Sequence, residues 1–490
     1  MLYIGIDLGT SSVKLLLMDE AGEIKNTVTR EYPLFFPKPG WSEQKPEDWY
    51  EQVISGMKEL IKDCDKTQID GMSFSGQMHG LVILDEKDHV IRPAILWNDG
   101  RTQEECDYLN NEIGREKISA YTANMAFPGF TAPKLLWIKK NEPENFEKIA
   151  KIMLPKDYIA YKLTGVHCTD VSDASGMLLF DVKKKCWSKE MLEICDLKEK
   201  WLAKIFESYE VVGTVTEEVA KELKIPNTTK VIAGGGDNAV AAVGNGTVGD
   251  GMCSVSLGTS GTVFIVNKEF AVDDKNALHS FAHADGTYHF MGVMLSAASC
   301  NKWWMDEILK TKDYGKEQEN IKELGKNPVF FLPYLMGERT PHNNPDARGT
   351  FIGMSMSTTR EEMTLAVLEG VAFAIRDSFE IAKSLGAHIE RIRIVGGGAK
   401  SPLWCKIMAN VLDVAVDKSN SEEGPAFGAA ILAAVGCGKY ASVEEATKQL
   451  IQVIETTKQS KELVDLYEKK YQVFKEIYPA LEGVYHKMVE

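Results

Sequence analysis

Gly234-Gly235-Gly236-Asp237-Asn238 closes the β-prone run Val231-Ile232-Ala233 and precedes the small-residue segment Ala239-Val240-Ala241-Ala242-Val243. An aspartate at such a tip, with glycines keeping other side chains away, suits a general base that takes a hydroxyl proton as the oxygen attacks phosphorus. The same position equally suits an N-cap for the helix that follows, and the two roles are compatible. A second carboxylate, Asp7, stands before the turn Leu8-Gly9-Thr10-Ser11, where its hard oxygens suit Mg2+ or the waters of that ion. The tetrad recurs as Leu257-Gly258-Thr259-Ser260, about half of the 490-residue chain later, with Ser256 in the place of Asp7. Each copy lies between apolar β-prone runs and reads as strand, tight turn, strand. Backbone N–H groups, close approach at the glycine and neighbouring hydroxyls suit a polyphosphate, although a plain hairpin needs no ligand.

Three further segments carry candidate chemistry. Gly396-Gly397-Gly398-Ala399 follows the short strand Ile392–Val395 and precedes a helix opened by Ser401-Pro402, a geometry that receives a nucleotide or simply makes a close strand-to-helix crossover. In Ser75-Gly76-Gln77-Met78-His79-Gly80, His79 could hydrogen-bond a polyol or carbonyl oxygen while Met78 packs on carbon; a structural loop histidine is the alternative. Trp97-Asn98-Asp99-Gly100-Arg101 sets an aromatic face beside an amide, a carboxylate and a guanidinium, a sugar-recognition set or a core tryptophan ahead of a capped helix. Glu338 to Pro345 reads as a rigid turn pinned by an Arg–Glu pair, and Trp303-Trp304 as helix packing. No Gly-x-x-x-x-Gly-Lys-Ser/Thr loop is present.

These residues need a scaffold of alternating strands and helices. Strands are expected at Ile24–Arg30, Ile69–Ser75, Leu81–Asp85, near 252–266 and 287–294, and at Val329–Leu332. Helices are expected where Trp49, Val53, Met57, Leu60 and Ile61 share one face, at 102–113 and 133–140, near 296–310 and 360–384, and through 441–490 as a surface cover of the second half. The alternation predicts an α/β fold, and the length predicts two halves, 1–249 and 250–490. A formal net charge of −15 excludes a broad nucleic-acid or anionic-membrane surface, so a phosphate ligand must be held by local amides, hydroxyls and a cation. Nine cysteines without a CxxC pair read as reduced core thiols. The opening strand carries no signal segment and no run reaches membrane-spanning length, which predicts a cytoplasmic protein.

Taken in order, Asp7–Thr10, Gly76–Gly80, Gly235–Asn238, Ser256–Gly261 and Gly396–Ala399 resemble the FGGY carbohydrate kinases, as do Thr131–Ile138 and Gly349–Glu369. The resemblance spans nearly the whole chain. It implies two ribonuclease H-like, actin-type ATPase domains with the active site in the cleft between them. It further implies Asp237 as catalytic base, Met78, His79, Trp97 and Asn238 as sugar contacts, Thr10, Gly258, Thr259, Gly397 and Gly398 as nucleotide contacts, and Asp7 as the carboxylate that manages Mg2+. Gln77–Gly80 and Ala94–Arg101 are similar to those of family members that phosphorylate D-xylulose, so ATP-dependent formation of D-xylulose 5-phosphate in D-xylose catabolism is the expected activity, by a possible homodimer. The rivals are phosphorylation of glycerol, ribulose or gluconate, and an actin- or chaperone-type ATPase that phosphorylates nothing.

Overall fold

Alternation of apolar residues around the first tetrad produces strand β1 (Leu2–Leu8) and strand β2 (Ser12–Asp19), paired antiparallel, with Ile4, Ile6, Leu8, Val13 and Leu15 fully buried. The computed structural model describes residues 1–421 and 423–489. The chain divides into two compact units, the first made of 1–248, 280–288 and 421–452, the second of the remaining segments.

In the first unit the sheet runs in the order Val211–Thr214, Lys230–Ile232, β3 (Ile69–Gly76), β1, β2, Ile24–Glu31, with the short strand Gly235–Gly236 also on β3. The helix Pro46–Leu60 buries Trp49, Val53, Met57 and Leu60 as the spacing predicts, with Pro46 at its start. The segment predicted helical at 102–113 is helical but changes pitch, from Gln103–Asp107 to a π-turn stretch at Tyr108–Gly114. Helix α1 (Thr131–Asn141) and helix α2 (Asp237–Asn245) lie at two further predicted helical segments.

The second unit repeats the hairpin with β4 (Gly251–Leu257) and β5 (Gly261–Asn267), and β6 (Ile389–Val395) runs parallel to β4 as β3 does to β1. Helix α3 (Pro402–Leu412) begins at Ser401, whose hydroxyl accepts the Trp404 amide at 3.1 Å. Trp303 stacks on Phe331 at 6.2 Å and Trp304 donates to Thr364, so this pair is internal packing. All nine cysteines are free thiols, six of them buried.

The chain then returns to the first unit, and here it departs from the sequence reading of 441–490 as a cover for the second half. Helix α4 (Gly424–Gly436) and the helix Val443–Leu450 pack in the first unit, Val453–Thr457 is a strand of the second sheet, and only Lys461–Val489 is a long amphipathic helix of the second unit. Close approach is what admits α4: a Cβ on Gly428 would stand 2.0 Å from the Val240 carbonyl oxygen, and one on Gly5 1.9 Å from that of Ala426. Helix α4 thereby lies against both β1 and α2, the two elements that carry Asp7 and Asp237.

Gly428→Ala forces these helices apart. It is expected to cost about 3 kcal/mol as overpacking and to lower the melting temperature by about 3 to 5 °C. Melting within 1 °C of the parent would show that the two helices do not make this contact.

Candidate active site

Strand β3 stands between β1 and the Gly235–Gly236 strand, and both pairings are parallel: Ser75 lies opposite Asp7 on one side and Gly235 on the other, Gly76 opposite Leu8 and Gly236. All three strands therefore end at one sheet edge. The loops that leave them, Gly9–Ser11, Gln77–Gly80 and Asp237–Asn238, emerge together although far apart in sequence. Carboxyl ends of parallel strands are where open α/β sheets hold ligands.

The cap of α2 is Gly236, and Asp237 is the first residue of the helix. Its Oδ1 accepts the Asn238 backbone amide at 2.7 Å and the Asn238 side-chain Nδ2 at 3.0 Å. Its side chain is thus not the cap that the local pattern equally allowed. Burial pushes the Asp237 carboxyl from 3.8 up to about 7, with the charge of Asp7 adding to the rise and the two Asn238 bonds opposing it. Asp7 is itself raised to about 6 by burial, against the pull of Ser75 across one ladder and Lys14 across the other. The pair is a set of two carboxylates whose environment moves them toward neutral pH.

The turn above Asp7 is held from outside. Gly9 N–H donates to Ser12 O at 3.0 Å, Gln44 Nε2 to Thr10 O at 2.7 Å, and the indole of Trp97 to Thr10 Oγ1 at 2.9 Å. Trp97 is 48 % exposed, so its face is open while its N–H is used. Asp99 and Arg101, expected beside it as recognition groups, instead form a buried ion pair at 2.7 Å, with Asp99 accepting the Ser42 amide and Arg101 lying on the Trp41 ring at 3.7 Å. They brace the Trp97 loop.

His79 has φ of 68°, a left-handed conformation that costs a non-glycine residue energy and persists only when its surroundings impose it. Those surroundings are explicit. Nδ1 lies 2.7 Å from Gly176 O, which assigns the proton to Nδ1, and the ring stacks on Phe130 at 4.5 Å. The His79 carbonyl accepts Thr131 Oγ1 at 3.1 Å and Lys134 Nζ at 2.8 Å. Lys134 is wholly buried, its ammonium brought down to about 7 by burial, and it also donates to Gly129 O at 2.7 Å. Gly129 in turn lies so near the Trp97 backbone that a Cβ would stand 2.5 Å from its oxygen. One lysine thus ties His79 to the Trp97 loop. Met78 is buried against Gly236, next to Asp237. Sequence reading missed Lys134 as a site residue, and the signal was a lysine on the apolar face Leu135, Trp137, Ile138.

Gly258, Thr259, Gly397 and Gly398 line a cavity of about 810 Å³ in the second unit. The Gly258-Thr259 turn is fastened by the Ala298 and Ala297 amides, at 2.8 and 3.0 Å, and by Ser299 Oγ at 2.7 Å. Gly396, with φ of 89°, brings its loop against Leu257, and Gly397 has open space where a Cβ would be. Lys302, Lys400, Gln318 and Asn301 complete the wall, and Asn301 Oδ1 is buried without a partner. Such a cavity accepts a large polar ligand with phosphates near the glycine turns. Glu338 is held by the Leu295 and Arg339 backbone amides at 3.0 and 2.7 Å. No helix among the described residues is long and apolar enough to cross a membrane.

Known proteins are similar to this chain along nearly its whole length. Residues 2–244 match the N-terminal domain of the FGGY family of carbohydrate kinases, and 253–437 its C-terminal domain. The chain is 41 % identical to the xylulose kinase of Escherichia coli strain K12 over 92 % of its own length and 93 % of that protein's. It is 40 % identical to the xylulose kinase of Lactococcus lactis over 99 % and 98 %. The crystal structure of a xyloylose kinase from Brucella ovis superposes with a TM-score of 0.93 at 40 % identity, covering 99 % of this chain and all of that one.

The raised Asp237 carboxyl has a consequence for stability. Its folded value of about 7 stands above the ordinary 3.8, so its contribution to folding is complete below about pH 4 and is lost as pH rises through 7. Asp237→Asn, neutral throughout, is expected to gain on the order of 2 kcal/mol without ligands at pH 8, seen as a melting temperature about 2 to 3 °C higher. The gain shrinks at pH 5. An equal melting temperature at both pH values would show that the carboxyl is not strained.

Proposed function

The chain belongs to the FGGY family of carbohydrate kinases, and from that membership we propose that it transfers the γ-phosphoryl group of ATP to the terminal hydroxyl of D-xylulose, giving D-xylulose 5-phosphate and ADP. The observation that carries the reading is the meeting of Met78, His79 and Asp237 at one sheet edge, in a chain about 40 % identical over nearly its full length to proteins named as xylulose kinases.

Asp237 is the base. The hydroxyl proton passes to its carboxylate while the oxygen bonds to phosphorus and the bond from phosphorus to the ADP oxygen breaks. A carboxyl near 7 is matched to that work, because it is substantially ionised at neutral pH and still basic enough to accept the proton. Asn238 orients it through two hydrogen bonds to one oxygen, leaving the other for substrate. His79 and the open face of Trp97 hold the sugar, with Met78 against its carbons. Thr10, Gly258, Thr259, Gly397 and Gly398 hold the nucleotide. Bound Mg2+ would neutralise phosphate charge. Asp7 fits such an ion, as a partly buried carboxylate that a cation would keep ionised, and would hold it directly or through water.

ADP release with magnesium-ATP is expected to be stimulated selectively by D-xylulose in a panel with D-ribulose, L-ribulose, glycerol and gluconate. Stimulation by another member keeps the phosphoryl transfer and overturns the sugar; hydrolysis indifferent to sugar overturns both. Asp237→Ala should lower turnover by more than about a hundredfold with nucleotide affinity nearly intact, and normal turnover with lost ATP binding would sink the assignment.

Lys134→Met keeps the length of the side chain and removes both donors from the His79 and Gly129 carbonyls. The KM for D-xylulose is expected to rise by about tenfold, the loss of one charge-assisted hydrogen bond, with the KM for ATP within twofold of the parent. A parallel rise in both would mean that the lysine supports the unit as a whole and not the sugar loops.

A further inference from the structure

A second buried polar group lies behind the base, and the activity as described does not use it. Lys156 is 1 % exposed, and its Nζ stands 2.9 Å from Asp170 Oδ1, 2.7 Å from Asp157 Oδ1 and 3.8 Å from Asp173 Oδ2. Asp170 Oδ2 accepts three bonds: the Ser172 amide at 2.8 Å, Ser172 Oγ at 2.5 Å and Ser208 Oγ at 2.7 Å. The Ser172 hydroxyl proton therefore points at Asp170 and leaves an oxygen lone pair, which accepts the backbone N–H of Gly236 at 3.1 Å. Gly236 caps the helix that Asp237 begins.

Ion clusters taken out of water are costly and are weak evidence for stability. This one has directed geometry that ends on the base. Lys156 orders the Asp170 carboxylate, that carboxylate orders the Ser172 hydroxyl, and the hydroxyl locks the peptide plane from which Asp237 departs. Two close approaches add to the same alignment: Lys156 packs where a Cβ on Gly76 would stand 2.7 Å from its own Cβ, and Ser172 Oγ would stand 2.6 Å from one on Gly235. The fixed plane matters because a general base acts only within hydrogen-bond reach of its proton, and sub-ångström misplacement is felt in turnover.

We propose that Ser172 is a positioning residue for phosphoryl transfer, the link through which the buried Lys156–Asp170 pair fixes the backbone of Gly236 and with it the aim of the Asp237 carboxylate. The inference rests on the reading of Asp237 as the base. It does not depend on which sugar is phosphorylated.

Ser208 supplies the control. Its hydroxyl bonds the same Asp170 oxygen from an equally buried place, but the hydrogen bond to the Gly236 amide belongs to Ser172. Ser172→Ala is expected to lower kcat by about tenfold or more, with KM for sugar and for ATP within threefold of the parent, while Ser208→Ala keeps kcat within threefold. Ser172→Thr, which retains the hydroxyl, is expected to restore most of the turnover. Melting curves report folding of each variant, and if Ser172→Ala does not fold, Ser172→Cys carries the same comparison with a weaker acceptor. A Ser172→Ala kcat within twofold of the parent overturns the proposal, and so do equal losses in the Ser172 and Ser208 variants. Asp237→Asn in the same series separates the two readings. If it keeps its turnover, the base is wrongly assigned; if it loses turnover and Ser172→Ala does not, only the positioning role fails.

Discussion

Everything at the edge that carries Asp7, His79 and Asp237 depends on the central strand β3 being paired in parallel on both flanks. Ser75 and Gly76 fix the heights of Asp7 and Leu8 on one side and of Gly235 and Gly236 on the other. A slip of one residue in the first ladder would turn Asp7 to the opposite face of the sheet, and one in the second would displace Gly236, from which Asp237 departs. The apolar residues Ile4, Ile6, Met72, Phe74 and Val231 are each at most 1 % exposed, and their burial enforces that register. Packing of the core and placement of the two carboxylates are therefore one constraint.

The same constraint explains why ionisable groups are buried here. Bringing Asp7 and Asp237 to one edge raises both carboxyls through burial, and the charge of Asp7 adds to the rise at Asp237. A fold under selection for stability alone would place asparagine or a hydrophobic residue there. Around the pair the structure spends further buried charge: Lys134 under His79 and Trp97, and Lys156 under Gly76 and behind Gly236. Both lysines act on backbone atoms of the loops, Lys134 directly and Lys156 through Asp170 and Ser172. Their work is to fix loops whose own sequences, rich in glycine, would leave them loose.

How much of this was legible in the sequence follows from what is local. Both hairpins, the glycine tips at strand ends, the Ser401-Pro402 helix start and the amphipathic face of Pro46–Leu60 are patterns within ten or fifteen residues, and each stands where it was expected. The return of 421–452 to the first unit was not legible, since α4 is apolar on every face and nothing in such a helix names the sheet it will meet. The role of Asp99 and Arg101 was not legible because composition shows which groups are near a tryptophan but not that they pair with each other. Lys134 and Lys156 escaped because a lysine is by default a surface residue, and only a tertiary arrangement of acceptors makes it a core one. The left-handed backbone of His79 belongs to the same class, imposed by Gly176, Phe130 and Thr131 from elsewhere in the chain.

The duplicated hairpin shows how one geometry acquires two chemistries. In both units a strand, a Leu-Gly-Thr-Ser turn and a return strand sit beside a parallel neighbour, β3 in one case and β6 in the other. The first copy carries Asp7 before its turn and stands beside the loops of Asp237, His79 and Trp97. The second carries Ser256 there, and its turn opens on a cavity of about 810 Å³ walled by glycines and neutral or basic side chains. A carboxylate in that position would repel an anion in the cavity, and a serine there leaves the turn uncharged. The two copies thus share a backbone and differ in charge at the residue before the turn, Asp7 in one and Ser256 in the other.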